Sequence, residues 1–215
     1  MKNYLFILLI CLGCASKKEI VAPKFESKIV SNEKLSCRAI FVDTDKVWLG
    51  MDKGRYGFYD KKKDTLVVKT IQSVSNTTEF RSIAATKDAI FILAVGNPAK
   101  LIKIDKKSLQ ETIVYQEENE KVFYDSMQFV DNLNGFAMGD PTEDCLSFIK
   151  TADGGNSWEK VSCANFPKVS EGEAAFATSN TNLIVKGKSI FMVSGGKKSR
   201  VFVSHDFGTS WQVYE

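Results

Sequence analysis

Four charged residues, spaced at nearly equal intervals, are the side chains of this sequence best placed to do chemistry. Arg38, Arg81, Asp125 and Glu173 lie 43, 44 and 48 residues apart, and each opens a short apolar segment. Arginines that hold a carboxylate, combined with a tyrosine nucleophile backed by a glutamate, would make a glycoside hydrolase with Tyr124 as its nucleophile. The same charges could instead bind a ligand without turnover. They could also neutralise one another, because half-buried charges normally have partners.

The overall composition argues against most other chemistries. The 215 residues include 29 Lys and Arg against 26 Asp and Glu, which leaves a formal net charge of +3. That balance is too even for a nucleic-acid-binding chain, which needs a concentrated basic face. The single histidine, His205, excludes His-pair metal sites and most histidine catalysis. We therefore expect no metal ion, no cofactor and no nucleic-acid partner.

The charged residues recur because the chain repeats itself from residue 37 onward. Each copy contains four short segments of alternating apolar residues, which are typical of half-buried strands, and a Gly-containing loop follows the second segment. Four antiparallel strands in about 45 residues, repeated in tandem, are typical of β-propeller blades. A β-sandwich is the alternative, but it does not explain why the same turn recurs in each copy. The sequence therefore predicts an all-β propeller of four-stranded antiparallel blades, with about four blades over residues 37–79, 80–122, 123–170 and 171–215.

The turn between the last two strands of a copy is the most specific pattern in the chain. It fits Ser/Thr-x-Asp-x-Gly-x-x-Trp twice, in Thr151, Asp153, Gly155 and Trp158 and again in Ser204, Asp206, Gly208 and Trp211. We expect the Asp carboxylate to accept backbone N–H groups of its own turn, the Gly to adopt a positive φ, and the Trp to pack back over the hairpin. The first two copies keep only the aspartates, Asp60 and Asp105. Because such a turn would engage its own polar groups, we predict that it is structural and binds no calcium.

This turn is known as the Asp box, and the chain resembles the Asp-box (BNR) β-propellers, of which sialidases are familiar members. From residue 37 to the end it looks most like the photosystem II stability/assembly factor-like proteins of non-photosynthetic bacteria, through residues 96–99, 137–141 and 171–176. The resemblance implies a non-catalytic assembly scaffold. It also implies a propeller of about seven blades, of which this chain would be a partial arc. Proteins of this kind are often labelled oxidoreductases. The residues do not support that label, because beyond residue 14 there is no Gly-x-Gly-x-x-Gly and no Cys-x-x-Cys.

The first 13 residues predict an export signal. A basic start precedes the apolar residues 4–12, which are too few to span a bilayer as a helix, since that takes about 20 residues. Cys11-Leu12-Gly13-Cys14 resembles a bacterial lipobox, although Cys11 stands where an aliphatic residue is usual. The pattern predicts lipid modification of Cys14, and an ordinary or uncleaved signal is the alternative. Residues 14–36 are predicted to be a polar tether. We expect an exported protein whose lipid anchor holds it to a membrane of the bacterial cell envelope, on the periplasmic or outer-membrane face.

Two of the remaining cysteines are predicted to form a disulfide. Counting outward from the turn between them places Cys145 and Cys163 nearly opposite each other on neighbouring antiparallel strands. An exported chain would permit the bond. Two reduced core cysteines are the alternative, and Cys37 has no predicted partner.

The propeller prediction also says where a ligand would bind. Because the first strand of each blade lines the central channel, the predicted ligand face consists of Arg38, Arg81, Asp125, Glu173, Asn97 and Asp140. Three functions are consistent with such a face. The family resemblance favours a non-catalytic scaffold for an envelope protein complex, and the alternative is a propeller that binds a carbohydrate or peptide without turnover. Sialidase-like hydrolysis is less favoured, because it needs three clustered arginines and the repeat places only Arg38 and Arg81 on adjacent inner strands.

Overall fold

The computed structural model describes residues 24–176 and 180–215, which form four four-stranded antiparallel sheets. The fold class predicted from the repeat, an all-β propeller of four-stranded blades with about four blades present, is confirmed. The predicted export signal and Cys14 lie outside the described residues. No helix in either described range has the length and apolar character needed to cross a membrane.

Every blade is a meander in which each strand pairs with the next blade strand along the chain. The first blade contains β1 (Cys37–Val42), β2 (Lys46–Met51), β3 (Arg55–Asp60) and β4 (Thr65–Thr70). The second contains β5 (Phe80–Ala85), β6 (Ala89–Ala94), β7 (Ala99–Asp105) and β8 (Glu111–Glu117). The third contains β9 (Tyr124–Phe129), β10 (Gly135–Gly139), β11 (Ser147–Thr151) and β12 (Glu159–Lys160). The fourth contains β14 (Leu183–Lys186), β15 (Ser189–Val193), β17 (Val201–Ser204) and β18 (Gln212–Tyr214). A separate two-stranded ladder joins β13 (Glu173–Ala174) to β16 (Gly195–Gly196), and one turn of 3-10 helix covers Cys163–Asn165.

Consecutive blades pack face to face through apolar side chains. Because successive residues of a strand point to opposite faces, a blade between two others needs apolar residues at every position. The strand β6 shows this, since all six of its residues are buried. Phe91 and Leu93 pack in the core shared with the third blade, whereas Ile90 and Ile92 pack in the core shared with the first.

The tryptophans of the aspartate turns, residues 151–158 and 204–211, pack against the preceding blade. Trp158 meets Phe91 of the second blade at a centroid distance of 6.3 Å, and Trp211 meets Phe148 of the third blade edge-to-face at 5.4 Å. Each Trp, which we expected to pack back over its own hairpin, therefore also contacts the preceding blade. Gly155 combines a φ of +74° with so close an approach to Phe91 that a Cβ would collide with the ring. The turn thus joins neighbouring blades as well as neighbouring strands.

The carboxylates of these turns are held by the turn itself. Asp153 Oδ1 accepts the N–H groups of Asn156 and Ser157 at 2.9 and 3.1 Å, and its Oδ2 accepts the Ser157 hydroxyl at 2.7 Å. Although burial opposes ionisation, the Ser157 hydrogen bonds lower the pKa of Asp153 to about 2. The hydroxyl and N–H of Ser210 likewise lower the pKa of Asp206 to about 2. Both carboxylates therefore stay ionised and cap their turns over the physiological pH range.

The degenerate turns of the first two blades keep the carboxylate cap but have no tryptophan. Asp60 accepts the N–H groups of Lys62 and Lys63 at 3.0 Å, and Asp105 accepts that of Ser108 at 2.7 Å. In the second blade, Leu109 packs against the core shared with the first blade. Capping by an aspartate carboxylate therefore occurs in the turns of all four blades, whereas only the turns of the last two blades contain a tryptophan.

The fourth blade differs from the sequence prediction at its first strand. The prediction that Glu173 opens this strand is wrong, because the strand that pairs with β15 is β14, while Glu173 pairs with Gly196 in the separate ladder. The N–H of Val193 donates to the carbonyl of Asn182 at 3.0 Å. By register, Asn182 holds the inner-strand position that Ser126 holds in the third blade. The apolar pattern of residues 174–176 cannot show which strand a segment pairs with, which is why the assignment failed.

A disulfide joins Cys145, just before β11, to Cys163, in the 3-10 turn after β12, with 5.5 Å between their Cα atoms. Both residues are buried in the core between the third and fourth blades. The bond closes the far edge of the third blade, where β12 is only two residues long. Within the described ranges, Cys37 is the one free cysteine, and it is exposed.

The packing of the aspartate turns leads to a prediction about stability. Trp158→Ala should lower the free energy of unfolding by about 3–5 kcal/mol, because it leaves a cavity between the second and third blades. Tyr214→Ala is the matched control, since Tyr214 is 54% exposed, and it should change stability by no more than about 0.5 kcal/mol. Urea unfolding followed by circular dichroism measures both. Equal stability of the Trp158 variant and the wild type would show that the turn does not join the blades.

Candidate functional site

The first strands of the blades, β1, β5, β9 and β14, contact one another in sequence around a common axis, and each pairs with only one strand of its own sheet. In β1, β5 and β9 the register shifts by one residue, and the extra residues are Arg38, Arg81 and Asp125. Such β-bulges place the extra residue outside the ladder. A charged side chain can therefore occur near the start of an otherwise apolar strand, and three residues of the predicted ligand face do hold equivalent positions.

These equivalent residues lie in different surroundings. Arg38 is exposed and has no hydrogen-bond or ion-pair partner among the residues described. Arg81 is half-buried, donates to Glu79 at 2.9 and 3.2 Å, and lies 5.6 Å from the ring centroid of Phe123. The loop residue Asn97 is exposed. Of these residues of the predicted ligand face, Arg38 and Asn97 are thus exposed, whereas Arg81 is paired with Glu79.

Asp125 is the most unusual member of the predicted face. The residue is 1% exposed, and neither carboxylate oxygen has a hydrogen-bond partner within the described part of the chain. Burial raises the pKa of Asp125 to about 8, the negative charge of Asp140 adds to the shift, and Arg81 opposes it. A carboxyl group in such a position carries a proton below about pH 8 and can both donate and accept hydrogen bonds.

Three further polar residues belong with Asp125. The side-chain oxygens of Ser82, Ser126 and Asn182 are buried and, within residues 24–176 and 180–215, have no partner. By register they occupy the same level of three successive inner strands. We call Ser82, Asp125, Ser126 and Asn182 the polar tier. An unsatisfied buried polar group costs about 1–3 kcal/mol, so water or a polar ligand that reached the tier would bind favourably.

Sequence reasoning missed most of the polar tier. Ser82 and Ser126 are separated by 44 residues, which is the repeat interval, so an alignment of the copies could have found them. Asn182 carried no such signal, because its strand was assigned to the wrong residues. An amide and two hydroxyls are also common in ordinary turns, and only their burial marks them.

Glu173, which the sequence placed on the predicted ligand face, is paired with Arg200. Its side chain is fully buried and forms a two-pronged ion pair with Arg200, with contacts of 2.6 and 2.9 Å. The N–H of Ser170 also donates to it at 2.8 Å. Although burial opposes ionisation, the Arg200 hydrogen bonds hold the pKa of Glu173 below its usual range. Glu173 therefore braces the loops of the fourth blade and is not available to a ligand.

Asp140 lies between the polar tier and an open acidic cleft. Its Oδ1 accepts the N–H of Ala175 at 2.8 Å, which ties the third blade to the fourth. The cleft, of about 570 Å³, is also lined by Glu143, Asp144 and Glu171. No group of three Asp, Glu, His or Cys side chains suited to hold a metal ion occurs in the described residues.

The one tyrosine considered as a nucleophile is enclosed. Tyr124 is fully buried, and its hydroxyl donates to Glu117 at 2.8 Å, as does the hydroxyl of Tyr115. Lys160 also contacts the Glu117 carboxylate. Burial, followed by the neighbouring Tyr115 and Glu117, raises the pKa of Tyr124 far above its usual range. A phenol that is inaccessible and difficult to ionise does not suit nucleophilic attack on a sugar.

An open cleft of about 350 Å³ lies on the axis and is lined by inner-strand residues of all four blades. We call it the axial cleft, and its lining includes Phe41, Ala84, Met127, Phe129, Asn180 and Ile184. The side chain of Asn180 crosses it: the N–H of Met127 donates to Asn180 Oδ1 at 2.9 Å, and Asn180 Nδ2 donates to the carbonyl of Ile83 at 3.0 Å. Asn180 thus links two blades at once.

Comparison with known proteins identifies the fold and leaves the family open. Neither a protein-family model nor a curated protein matches the chain. Among solved structures, it is similar to "Structure of U3-55K", with a TM-score of 0.62 and 11% identity over 87% of this chain and 54% of the other. It is also similar to "Crystal structure of RRP9 WD40 repeats", with a TM-score of 0.61 and 10% identity over 87% and 53%. A third is "YCF48 bound to D1 peptide", with a TM-score of 0.51 and 11% identity over 89% and 74%. The chain spans about half the length of the first two structures.

The buried carboxyl group leads to a prediction about pH. Because the folded pKa of Asp125 is about 8 and an unfolded Asp has a pKa near 3.9, its contribution to stability is complete below about pH 4 and is lost as the pH rises towards 8. Relative to Asp125→Asn, the wild type should lose about 1.4 kcal/mol of unfolding free energy per pH unit across this range.

Urea unfolding at about pH 5, 6.5 and 8 measures this difference, with the exposed Asp88→Asn as the control. The control should follow the wild type at every pH. Parallel pH profiles for Asp125→Asn and the wild type would show that Asp125 is ionised in the folded protein.

Proposed function

We propose that this protein is a non-catalytic propeller that binds another protein through the axial ends of its blades. This proposal rests mainly on the polar tier. Its four buried residues present polar oxygens without partners in the described chain, at one level of consecutive inner strands. Natural proteins rarely leave such groups unsatisfied, so a site that gathers four of them is suited to a polar ligand.

The chemistry of the site favours binding over catalysis. Tyr124 is buried, and Glu173 is neutralised by Arg200. Arg38 remains exposed and Arg81 half-exposed beside the tier, and both can contact an acidic or polar surface on a partner. The arginines give a face that can recognise a partner, and they do not form a reactive pair of acid and base with the buried tier beside them.

The comparisons support the same choice of function. One similar structure is that of YCF48 bound to a D1 peptide, and the other two are WD40-type propellers. The two aspartate turns have the residue pattern and internal hydrogen bonds expected of Asp boxes. We therefore propose that the chain is an Asp-box propeller of the assembly-factor-like kind, and that its partner is a protein complex of the bacterial cell envelope.

The binding face can be tested by cross-linking in cells. The full chain, expressed with its own leader in the bacterium it comes from, should yield a reproducible protein partner after cross-linking and mass spectrometry. Arg38→Ala combined with Arg81→Ala should reduce recovery of that partner at least fivefold, because two positive charges are lost from the face. Lys63→Ala combined with Lys69→Ala, which removes two exposed charges of the first blade away from the axis, should leave recovery unchanged. Full recovery by the arginine variant would contradict the proposed face.

We further propose that the propeller is lipid-anchored through Cys14. The lipobox-like residues 11–14 and the polar tether support this. Cys14→Ser should abolish incorporation of radiolabelled palmitate and release the protein from the membrane fraction, because no thiol remains for acylation. Cys11→Ser is the matched control and should keep both. Labelling of the Cys14 variant would contradict the anchor.

A further inference from the structure

The inner strands carry open edges that face the axis. Each of β1, β5, β9 and β14 is the first strand of its four-stranded sheet and pairs with a single neighbour there. In an edge strand, alternate residues direct their N–H and C=O groups away from the paired side. In β5 and β9 such outward groups include the carbonyl of Ile83 and the N–H of Met127, since both reach the side chain of Asn180.

Asn180 satisfies these edges as a peptide group would. Its carboxamide accepts one hydrogen bond from β9 at 2.9 Å and donates one to β5 at 3.0 Å. Gln128 similarly satisfies a backbone group on the edge of β14, because its Oε1 accepts the N–H of Val185 at 2.8 Å. A carboxamide has the same donor and acceptor as a backbone peptide unit. Two side chains therefore occupy positions suited to the main chain of an added strand.

The space beside these edges fits apolar side chains. Phe41, Ala84, Met127 and Phe129 contribute to a cleft of about 350 Å³, within the range of ligand sites in proteins. Ile184, at its rim, is 53% exposed. A cleft with apolar walls and main-chain hydrogen-bonding groups on its edge has the two elements of recognition by strand addition.

We propose that the axial cleft binds a short extended peptide segment of a partner protein. The peptide main chain pairs with the outward edges of β5 and β9 in place of the Asn180 amide, and an apolar side chain of the peptide enters beside Met127 and Ile184. This inference rests on the proposed function, since it names the element of the partner that the propeller recognises. Main-chain pairing supplies affinity, and the apolar cleft supplies specificity because it accepts peptides with apolar side chains at alternate positions.

A displayed library of random eight-residue peptides, panned on the purified chain, provides the probe. We expect enrichment of sequences with apolar residues at alternate positions, and fluorescence polarisation with synthetic copies gives their affinity. Methylation of the backbone nitrogens of alternate residues should weaken binding at least tenfold, because it removes the main-chain donors. Failure to enrich any such peptide, or equal binding of the methylated copy, would overturn the proposal.

Protein variants locate the peptide in the cleft. Ile184→Lys should weaken binding at least tenfold, whereas Ile113→Lys, a half-exposed isoleucine on the outer strand β8, should leave it unchanged. Asn180→Ala should bind the peptide as tightly as the wild type or more tightly, because the competing amide is gone. Equal binding by the Ile184 variant, or loss of binding in Asn180→Ala with an unchanged urea midpoint, would contradict a peptide that enters beside Ile184 and replaces the Asn180 amide.

The same variants separate this inference from the proposed function. Ile184→Lys that still cross-links its envelope partner, while Arg38→Ala with Arg81→Ala does not, would reject the peptide site and keep the binding face. Loss of the partner in both variants would support the two together. Peptide binding without any envelope partner would keep the cleft and reject the partner assigned to it.

Discussion

The structure depends on apolar contact between the faces of consecutive sheets. An isolated four-stranded sheet exposes two faces, and stacking around an axis buries both faces of every blade that has two neighbours. The second blade shows the result most fully, since every residue of β6 is buried. The tryptophans of the last two blades add to this contact by reaching back to Phe91 and Phe148. The aspartate turn holds each tryptophan there, and its carboxylate accepts hydrogen bonds from groups of the same turn.

This construction leaves buried polar groups both between the blades and at the axis. On the faces between blades some polar groups are engaged, as in the Glu117, Tyr115 and Tyr124 cluster, whereas Trp48 Nε1, Tyr56 OH and Trp158 Nε1 are buried there without a partner in the described residues. At the axis the blades converge on their open-edged inner strands, and the bulges place charged residues outside the ladder. The axial region is consequently where the polar tier lies and where backbone edges are open.

The charges first considered for catalysis have separate roles for this reason. Glu173 and Arg200 neutralise each other inside the loops of the fourth blade, and Tyr124 is held by Glu117 between blades. Asp125 is left buried beside Asp140, with a raised pKa. What remains near the axis is the buried polar tier and the partly apolar axial cleft, on which the proposed recognition of another chain rests.

The sequence alone was sufficient for the blade architecture, because a repeat of four alternating segments with a recurrent turn depends only on local spacing. It also placed Arg38, Arg81 and Asp125 at matching positions, since a constant interval preserves register. It could not place Glu173, because an apolar segment does not specify its pairing strand, and it could not identify Asn180, whose two partners lie about 50 and 100 residues away. Burial and pairing between distant residues arise only when the blades close around the axis. Tertiary structure alone therefore decided which polar groups have hydrogen-bond partners within the described chain and which have none.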